Sequence, residues 1–258
     1  MKIIENFIEK INFKKYRTFL FEENFKLKPI EMKEEYSFCD LIGYEKQKQA
    51  IYNNTKAFLE GLKVNNILLY GDAGCGKSTT IRALLNEFSE IKIIQVFKNN
   101  LINLDKLFEK LAKQPYKFII FADDISFDDT DNTFSTMKAV LEGSIVKCPD
   151  NVVIYATSNR RHLIKESFQS RIGDEIHLKD TISELNSLSE RFGLNLLFMK
   201  PSNNEFIEIS KKLAQKYLKD YDEEEVLAKI KRHCLIKGTS SPRVIQQAID
   251  LIRANIEI

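Results

Sequence analysis

Gly71-Asp72-Ala73-Gly74-Cys75-Gly76-Lys77-Ser78 is the stretch on which the reading of this chain turns. The apolar run Asn66-Ile67-Leu68-Leu69-Tyr70 leads into it, and Thr79-Thr80-Ile81-Arg82-Ala83-Leu84-Leu85 leads out. Strand, glycine loop and helix in that order are the context that a G-x-x-x-x-G-K-[ST] phosphate loop requires. Glycines let the backbone curl so that successive N–H groups point inward, and the helix starting near Lys77 adds the positive end of its dipole. The expected phosphate-contacting set is therefore Asp72, Ala73, Gly74, Cys75, Gly76, Lys77, Ser78 and Thr79. In it Lys77 reaches the terminal phosphates and the Ser78 hydroxyl serves as a metal ligand. The spacing predicts binding of a nucleoside triphosphate with Mg²⁺.

Moving outward, five short apolar runs read as strands: 66–70, Ile91–Phe97, Lys117–Phe121, Asn151–Thr157 and Leu194–Met199. Nearly continuous apolar runs suit strands covered on both faces. Their alternation with helical segments predicts right-handed crossovers and a three-layer α/β domain built on a parallel five-stranded sheet. Beyond Pro201 only helical stripes remain, through Phe206, Ile209 and Leu213, then Val226 and Ile230, then Val244, Ala248 and Ile252. The division expected is an α/β domain over 36–200 and a small all-helical domain over 201–258. Residues 1–35 carry Ile3, Ile4, Phe7, Ile8, Ile11, Phe19 and Leu20 at helical spacing, which predicts an amphipathic helical segment interrupted by Pro29.

Two strand ends deliver polar groups. Phe118-Ile119-Ile120-Phe121-Ala122 ends in Asp123-Asp124, at the sheet edge where α/β proteins bind ligands. Asp123 fits the Walker B role of holding a magnesium shell, and Asp124 is placed to polarise an attacking water. The same acidic pair would also serve to cap the next turn. The run from Asn151 closes on Asn159, whose amide both donates and accepts and so can hold a water between acid and phosphate. An isolated Asn at such a position is more often a cap or turn residue.

With 258 residues, 43% hydrophobic and 29% charged, the chain is long enough to bury a proper core and has the composition of a folded domain. A net charge of +2 gives no bulk electrostatic argument for nucleic acid. Cys39, Cys75, Cys148 and Cys234 are scattered without a C-x-x-C pair, and read as free thiols of a reducing cytoplasm. Neither a membrane-length apolar run nor a signal-peptide pattern is seen. His162, His177 and His233 have no partners at metal spacing.

Taken together, these pieces resemble the AAA+ ATPases over about residues 36–258. Leu41-Ile42-Gly43-Tyr44-Glu45 is similar to the segment that packs the adenine ring, which assigns Ile42 and Gly43 to nucleotide binding. Asn159 resembles the sensor 1 residue, and Gly238-Thr239-Ser240-Ser241-Pro242-Arg243 resembles the sensor 2 motif, with Arg243 reaching the phosphates. The helical end then corresponds to the AAA+ lid. Gly43-Tyr44-Glu45, Tyr155 to Leu163 and Leu188 to Leu194 resemble a bacterial family of predicted AAA+ ATPases without an assigned function. The Asp-Asp pair is similar to that of the initiator and helicase-loader branch. The resemblance implies Mg²⁺-dependent ATP hydrolysis in an oligomer with shared sites, coupled to remodelling or loading of a macromolecular partner. It also implies an arginine supplied by a neighbouring subunit. Arg191, just before the last strand, ranks first for that role, ahead of Arg160, Arg161 and Arg171. The stretch 172–189 is long for a connection and reads either as an insertion used for a client or as a merely flexible segment.

Where many ATPases carry Glu, this chain has Asp124, so an ATP-dependent binding switch with slow turnover is the competing reading. A GTPase or small-molecule kinase fits less well, because no N-K-x-D-type guanine signature is present and Arg243 opens a terminal helix.

Overall fold

The computed structural model describes residues 12–31, 36–125, 132–142, 147–159, 190–218 and 221–256, with the side chains of 132–135 left aside. The sheet runs through β1 (Thr18–Phe21), β2 (Leu27–Pro29), β3 (Ile67–Gly71), β4 (Lys92–Val96), β5 (Phe118–Ala122), β6 (Val152–Ser158) and β7 (Leu194–Phe198). Its seven strands lie in the order β2-β1-β4-β5-β6-β3-β7. Every neighbouring pair is parallel except β1 with β2. The five strands expected from the apolar runs are β3 to β7, displaced by no more than one residue at either end.

Alternation along the buried strands divides the core in two, since successive side chains point to opposite faces. Leu68, Ile94, Phe118, Ile120, Ile154 and Ala156 face α3 (Leu104–Leu111) and α4 (Asn132–Glu142), packing on Leu104, Leu107, Phe108, Leu111, Met137 and Val140. On the other face Ile67, Leu69, Ile93, Ile119, Phe121, Tyr155 and Phe198 meet α1 (Glu45–Leu59) and α2 (Lys77–Glu87) through Ile51, Phe58, Ile81 and Leu84. This is a three-layer α/β fold. A separate apolar cluster joins α5 (Asn203–Tyr217), α6 (Glu223–Ile236) and α7 (Pro242–Arg253) through Phe206, Ile209, Ile230, Ile245 and Ile249. Ile42 packs against that helical cluster from the segment before α1.

Over residues 12–31 the structure departs from the expected amphipathic helix. Residues 1–11 and 32–35 lie outside the described residues, and β1 with β2 forms a hairpin, adding two strands to the expected five. Phe19 and Phe21 are fully buried while Leu20 between them is only half-buried, a period of two. The turn closes through Glu22 N–H donating to the Lys26 carbonyl at 3.0 Å, with Phe25 in the left-handed region at φ 60°. Phe13 packs edge-on against Phe19 and Phe118, with ring centroids 5.0 and 5.3 Å apart. The Arg17 guanidinium donates to the Leu85 carbonyl at 2.7 Å and to that of Phe88, so the hairpin is tied to the end of α2. Asn100 donates to the Phe21 carbonyl at 2.9 Å.

Candidate functional site: a phosphate loop with its strand-end partners

The loop expected to hold phosphates leaves β3 at Gly71 and enters α2 at Lys77. Three positions need backbone that only glycine adopts freely: Gly71, Gly74 and Gly76 have φ of 124°, 78° and 85°. At Gly71 a Cβ would stand 2.2 Å from the Phe198 carbonyl oxygen. At Gly74 it would stand 2.7 Å from Ser241 Oγ and 3.3 Å from Arg243 Cβ. The second contact shows how closely α7 abuts the loop. The Arg243 N–H donates to the Gly74 carbonyl at 3.2 Å.

Beneath the loop the expected polar residues form one connected set. Lys77 is buried; its ammonium donates to the carbonyls of Gly71 at 2.9 Å and Asp72 at 2.7 Å, and to Asn159 Oδ1 at 2.9 Å. Burial lowers the Lys77 pKa, and the positive charge of Arg243 acts in the same direction. Asn159 passes the contact on, with Nδ2 donating to Asp124 Oδ1 at 2.6 Å. Asp124 itself sits in the left-handed region at φ 52°. Ser78 Oγ donates to Asp123 Oδ1 at 2.5 Å, so hydroxyl and carboxylate meet where α2 crosses the end of β5.

Two members of this set escape the sequence reading. Thr157 Oγ1 donates to Asp123 Oδ1 at 2.7 Å and accepts from the Asp124 N–H at 2.8 Å, fixing both acids at once. It stands two residues before Asn159 on β6, hence on the same face, and that parity was the available signal. Arg82, one helical turn beyond Ser78, reaches Asp123 Oδ2 from Nη2 at 3.2 Å.

A cavity of about 420 Å³ opens beside the loop, between it and the helical cluster. Gly74 to Thr79 line it, with Asn159 and Thr157 at one end and Arg243 on the α7 side. Ile42, Gly43, Ile209 and Leu213 supply an apolar wall. Asp72 and Ala73 stand apart from this lining: the Asp72 carboxylate accepts from the Lys200 N–H at 2.8 Å, and Ala73 is exposed. The segment carrying Ile42 is pinned by buried Lys48, which donates to the Leu41 carbonyl at 2.5 Å and pairs with Glu45 at 2.8 Å. Tyr44 stacks on Phe198 and donates to the Met199 carbonyl at 2.6 Å. Burial pushes the Tyr44 hydroxyl and the Cys75 thiol up, the hydroxyl further through its hydrogen bond with Cys75.

Arg191 does not join the Lys77 cluster. It lies just before β7 and pairs with Glu142 of α4, Nε donating to Oε1 at 2.6 Å. Arg160, Arg161, Arg171, His162, His177 and the stretch 172–189 lie outside the described residues. His233 is buried in α6. Among the described residues no three His, Cys, Asp or Glu side chains gather into a metal-binding group, and no helix is long and apolar enough to cross a membrane.

The donor set nevertheless fits a small hard cation. Ser78 Oγ and the Asp123 carboxylate are oxygen ligands held together, and Mg²⁺ typically takes one or two such protein groups and completes its shell with phosphate oxygens and water.

Comparisons agree with this geometry at the level of fold. Two solved variants of RuvB from Thermotoga maritima superpose with TM-scores of 0.56 and 0.52, at 17% and 14% identity. They cover 84% and 86% of this chain, which in turn covers 64% and 74% of theirs. At that identity the likeness shows a shared fold and nothing of activity. The magnesium-chelatase subunit ChlI of Olisthodiscus luteus is 28% identical over 108 residues, which are 42% of this chain and 31% of that protein. The chain therefore spans about a third of that relative's length. Residues 14–256, nearly the whole chain, match the family described as "Protein of unknown function (DUF815)", and the chain belongs to that family.

Proposed function

We propose that this protein is a Mg²⁺-dependent ATPase whose turnover, in an oligomer with shared sites, remodels or loads a macromolecular partner. The observation that carries the proposal is the unbroken hydrogen-bonded line from Lys77 through Asn159 to Asp124, with Ser78, Thr157 and Asp123 beside it. Such a line joins a phosphate-binding cation to a carboxylate at the one end of the sheet where α/β ligands bind. The helical cluster over the loop acts as a lid.

In this reading the adenine rests against Ile42, Gly43, Ile209 and Leu213, and the triphosphate lies along Gly74 to Thr79. Lys77 and Arg243 neutralise phosphate charge that grows on the leaving β-phosphate oxygen. Asp124 orients the attacking water and accepts its proton as the new P–O bond forms and the β–γ bridge breaks, giving ADP and phosphate. Asn159 holds the Asp124 carboxylate at the correct distance from Lys77. Ser78 and Asp123 would hold a Mg²⁺ ion, which would supply charge neutralisation to the phosphates.

Direct nucleotide titration and steady-state phosphate release test the reading. The parent should bind ATP and release phosphate, and chelation of Mg²⁺ should stop release. Lys77→Ala should lose binding. A Lys77→Ala protein that binds and hydrolyses ATP like the parent would sink the proposal.

A second reading has its own observation. The Asp124 carboxylate, one methylene shorter than Glu, is tethered by Asn159 at 2.6 Å on a left-handed backbone. Such restraint suits a protein that holds ATP to keep one shape. Tight binding with negligible phosphate release, in the absence of a partner, would favour this switch.

A further inference from the structure

The opposite end of the sheet carries a second, differently built cavity. It measures about 730 Å³ and lies where β4 and β5 begin, at the far ends of the strands from the phosphate loop. Its floor includes Lys92, the first residue of β4, which is only 5% exposed. An ammonium has three N–H donors to satisfy. Lys92 has one long contact to the Tyr16 carbonyl, at 3.5 Å, and stands 4.5 Å over the Tyr116 ring. No carboxylate lies within salt-bridge distance of Lys92 Nζ among the described residues.

A buried cation without an anion is costly, because burial removes water and nothing replaces its charge. The neighbourhood sharpens that cost. Burial lowers the Lys92 pKa, and the nearby charge of Arg17, whose own donors go to the carbonyls of Leu85, Phe88 and Ile91, acts in the same direction. Lys14, Lys56 and Lys117 stand around the same cavity, against Glu60 and Glu90. Glu60 already stands opposite Lys56, 4.0 Å away. The balance of the lining is positive, and Phe13 and Tyr116 add flat apolar walls.

We propose that this lysine-lined cavity at the amino ends of β4 and β5 is a binding site for a compact phosphorylated small molecule, separate from the nucleotide site. Phosphate is favoured over a single carboxylate because four lysines line the cavity against two glutamates, and a phosphoryl group presents oxygens to more than one of them. The aromatic walls accept an apolar or ring portion of the same ligand. A cavity of this size accommodates a small ligand and lies within the usual range for such sites. Binding would supply a counter-charge to Lys92 and thereby brace the starts of β4 and β5, remote from Lys77.

Inorganic pyrophosphate is the probe, titrated without divalent metal into the ¹⁵N-labelled full chain and followed by amide NMR. Two separate sets of shifts are expected, one at residues 88–92, 116 and 117 and another at 74–79. Lys92→Gln should weaken the first set at least tenfold and leave the second, whereas Lys77→Ala should do the reverse. Shifts confined to 74–79, or a first set whose affinity Lys92→Gln does not change, would overturn the proposal. If Lys92→Gln loses its dispersed spectrum, the Lys14→Gln/Lys117→Gln pair replaces it, as Lys14 is exposed and Lys117 half-buried. That pair should weaken the first set at least threefold, and an unchanged affinity counts against the site. An oligothymidylate arm distinguishes the source of phosphate: shifts at 88–92 with the oligonucleotide but none with pyrophosphate would refute a small-molecule site.

Discussion

Thr157 holds both acids of the candidate centre with one hydroxyl, donating to Asp123 and accepting from the Asp124 backbone. A group that orients a ligand without touching the reactant is worth about 10–100-fold in activity or metal affinity in comparable sites. Thr157→Val keeps the shape and removes both bonds, so phosphate release at saturating ATP should fall by that order while nucleotide affinity changes little. Thr157→Ser should restore most of the loss, since it returns the hydroxyl. Equal turnover in parent and Thr157→Val would show that Asp123 is positioned by other means, with Ser78 at 2.5 Å and Arg82 at 3.2 Å the remaining partners. At this scale the sequence made Lys77, Ser78, Asp123, Asp124 and Asn159 legible because each closes a strand or opens a helix, where local pattern fixes position. Thr157 offered only its parity with Asn159 as a signal, and Arg82 offered none. Their roles depend on which strand lies beside which and on how far α2 is rotated about its axis. Asp72 and Ala73 show the converse: the motif includes them, yet the loop turns one towards Lys200 and the other outward.

Between elements, the hairpin β1–β2 depends on Arg17 as much as on its apolar contacts. Its guanidinium serves carbonyls at the end of α2 and just before β4. A hydrogen bond to a charged group contributes about 1.5–3 kcal/mol, so Arg17→Ala should lower unfolding stability by about 2 kcal/mol in urea titration. A change under about 0.5 kcal/mol would mean that the hairpin is held by Phe19 and Phe21 alone. Strands β3 to β6 were readable because each is an apolar run buried on both faces, and the edge strand β7 because Leu194, Leu196, Leu197 and Phe198 keep it largely apolar. The hairpin was not, because strands of four and three residues are too short to display alternation against a background of helical spacing. Another contact joins the helical cluster to the segment before α1. Lys216 of α5 pairs with Asp40, which also accepts from Ser37 N–H at 2.7 Å. Those bonds pull the Asp40 pKa from 3.8 to about 2. Because the folded value lies below the unfolded one, the stabilisation is fully present above about 3.8 and disappears as pH falls through about 2. The stability difference between parent and Asp40→Asn should therefore be constant from about pH 7 to 5 and shrink towards zero as pH falls from about 4 to 2. A difference that grows on acidification would contradict the assigned pair.

For the whole molecule, the proposed shared site turns on Arg191. Within the chain, Lys77 and Arg243 face the cavity, whereas Arg191 is engaged by Glu142 in an ion pair at the side of the fold. If the assembly shares sites, Arg191 must exchange a carboxylate for the phosphates of a neighbouring subunit. Glu142 then acts as a competitor for the guanidinium, a parking place for it in the isolated chain. This gives opposed expectations for the two halves of one ion pair. Arg191→Ala should retain ATP affinity and lose about 10³-fold or more in turnover, the usual scale for an arginine acting on phosphoryl transfer. Glu142→Gln weakens the resting pair and should raise turnover per chain at low protein concentration, where assembly limits the rate. Both effects should appear in phosphate release measured across a dilution series, with particle mass followed in parallel. If Arg191→Ala turns over at the parent's rate, or if turnover per chain is independent of concentration in a protein that stays monomeric, a shared site is untenable. The ion pair would then be a surface contact between α4 and the approach to β7, and the switch reading would gain the ground that the motor reading loses.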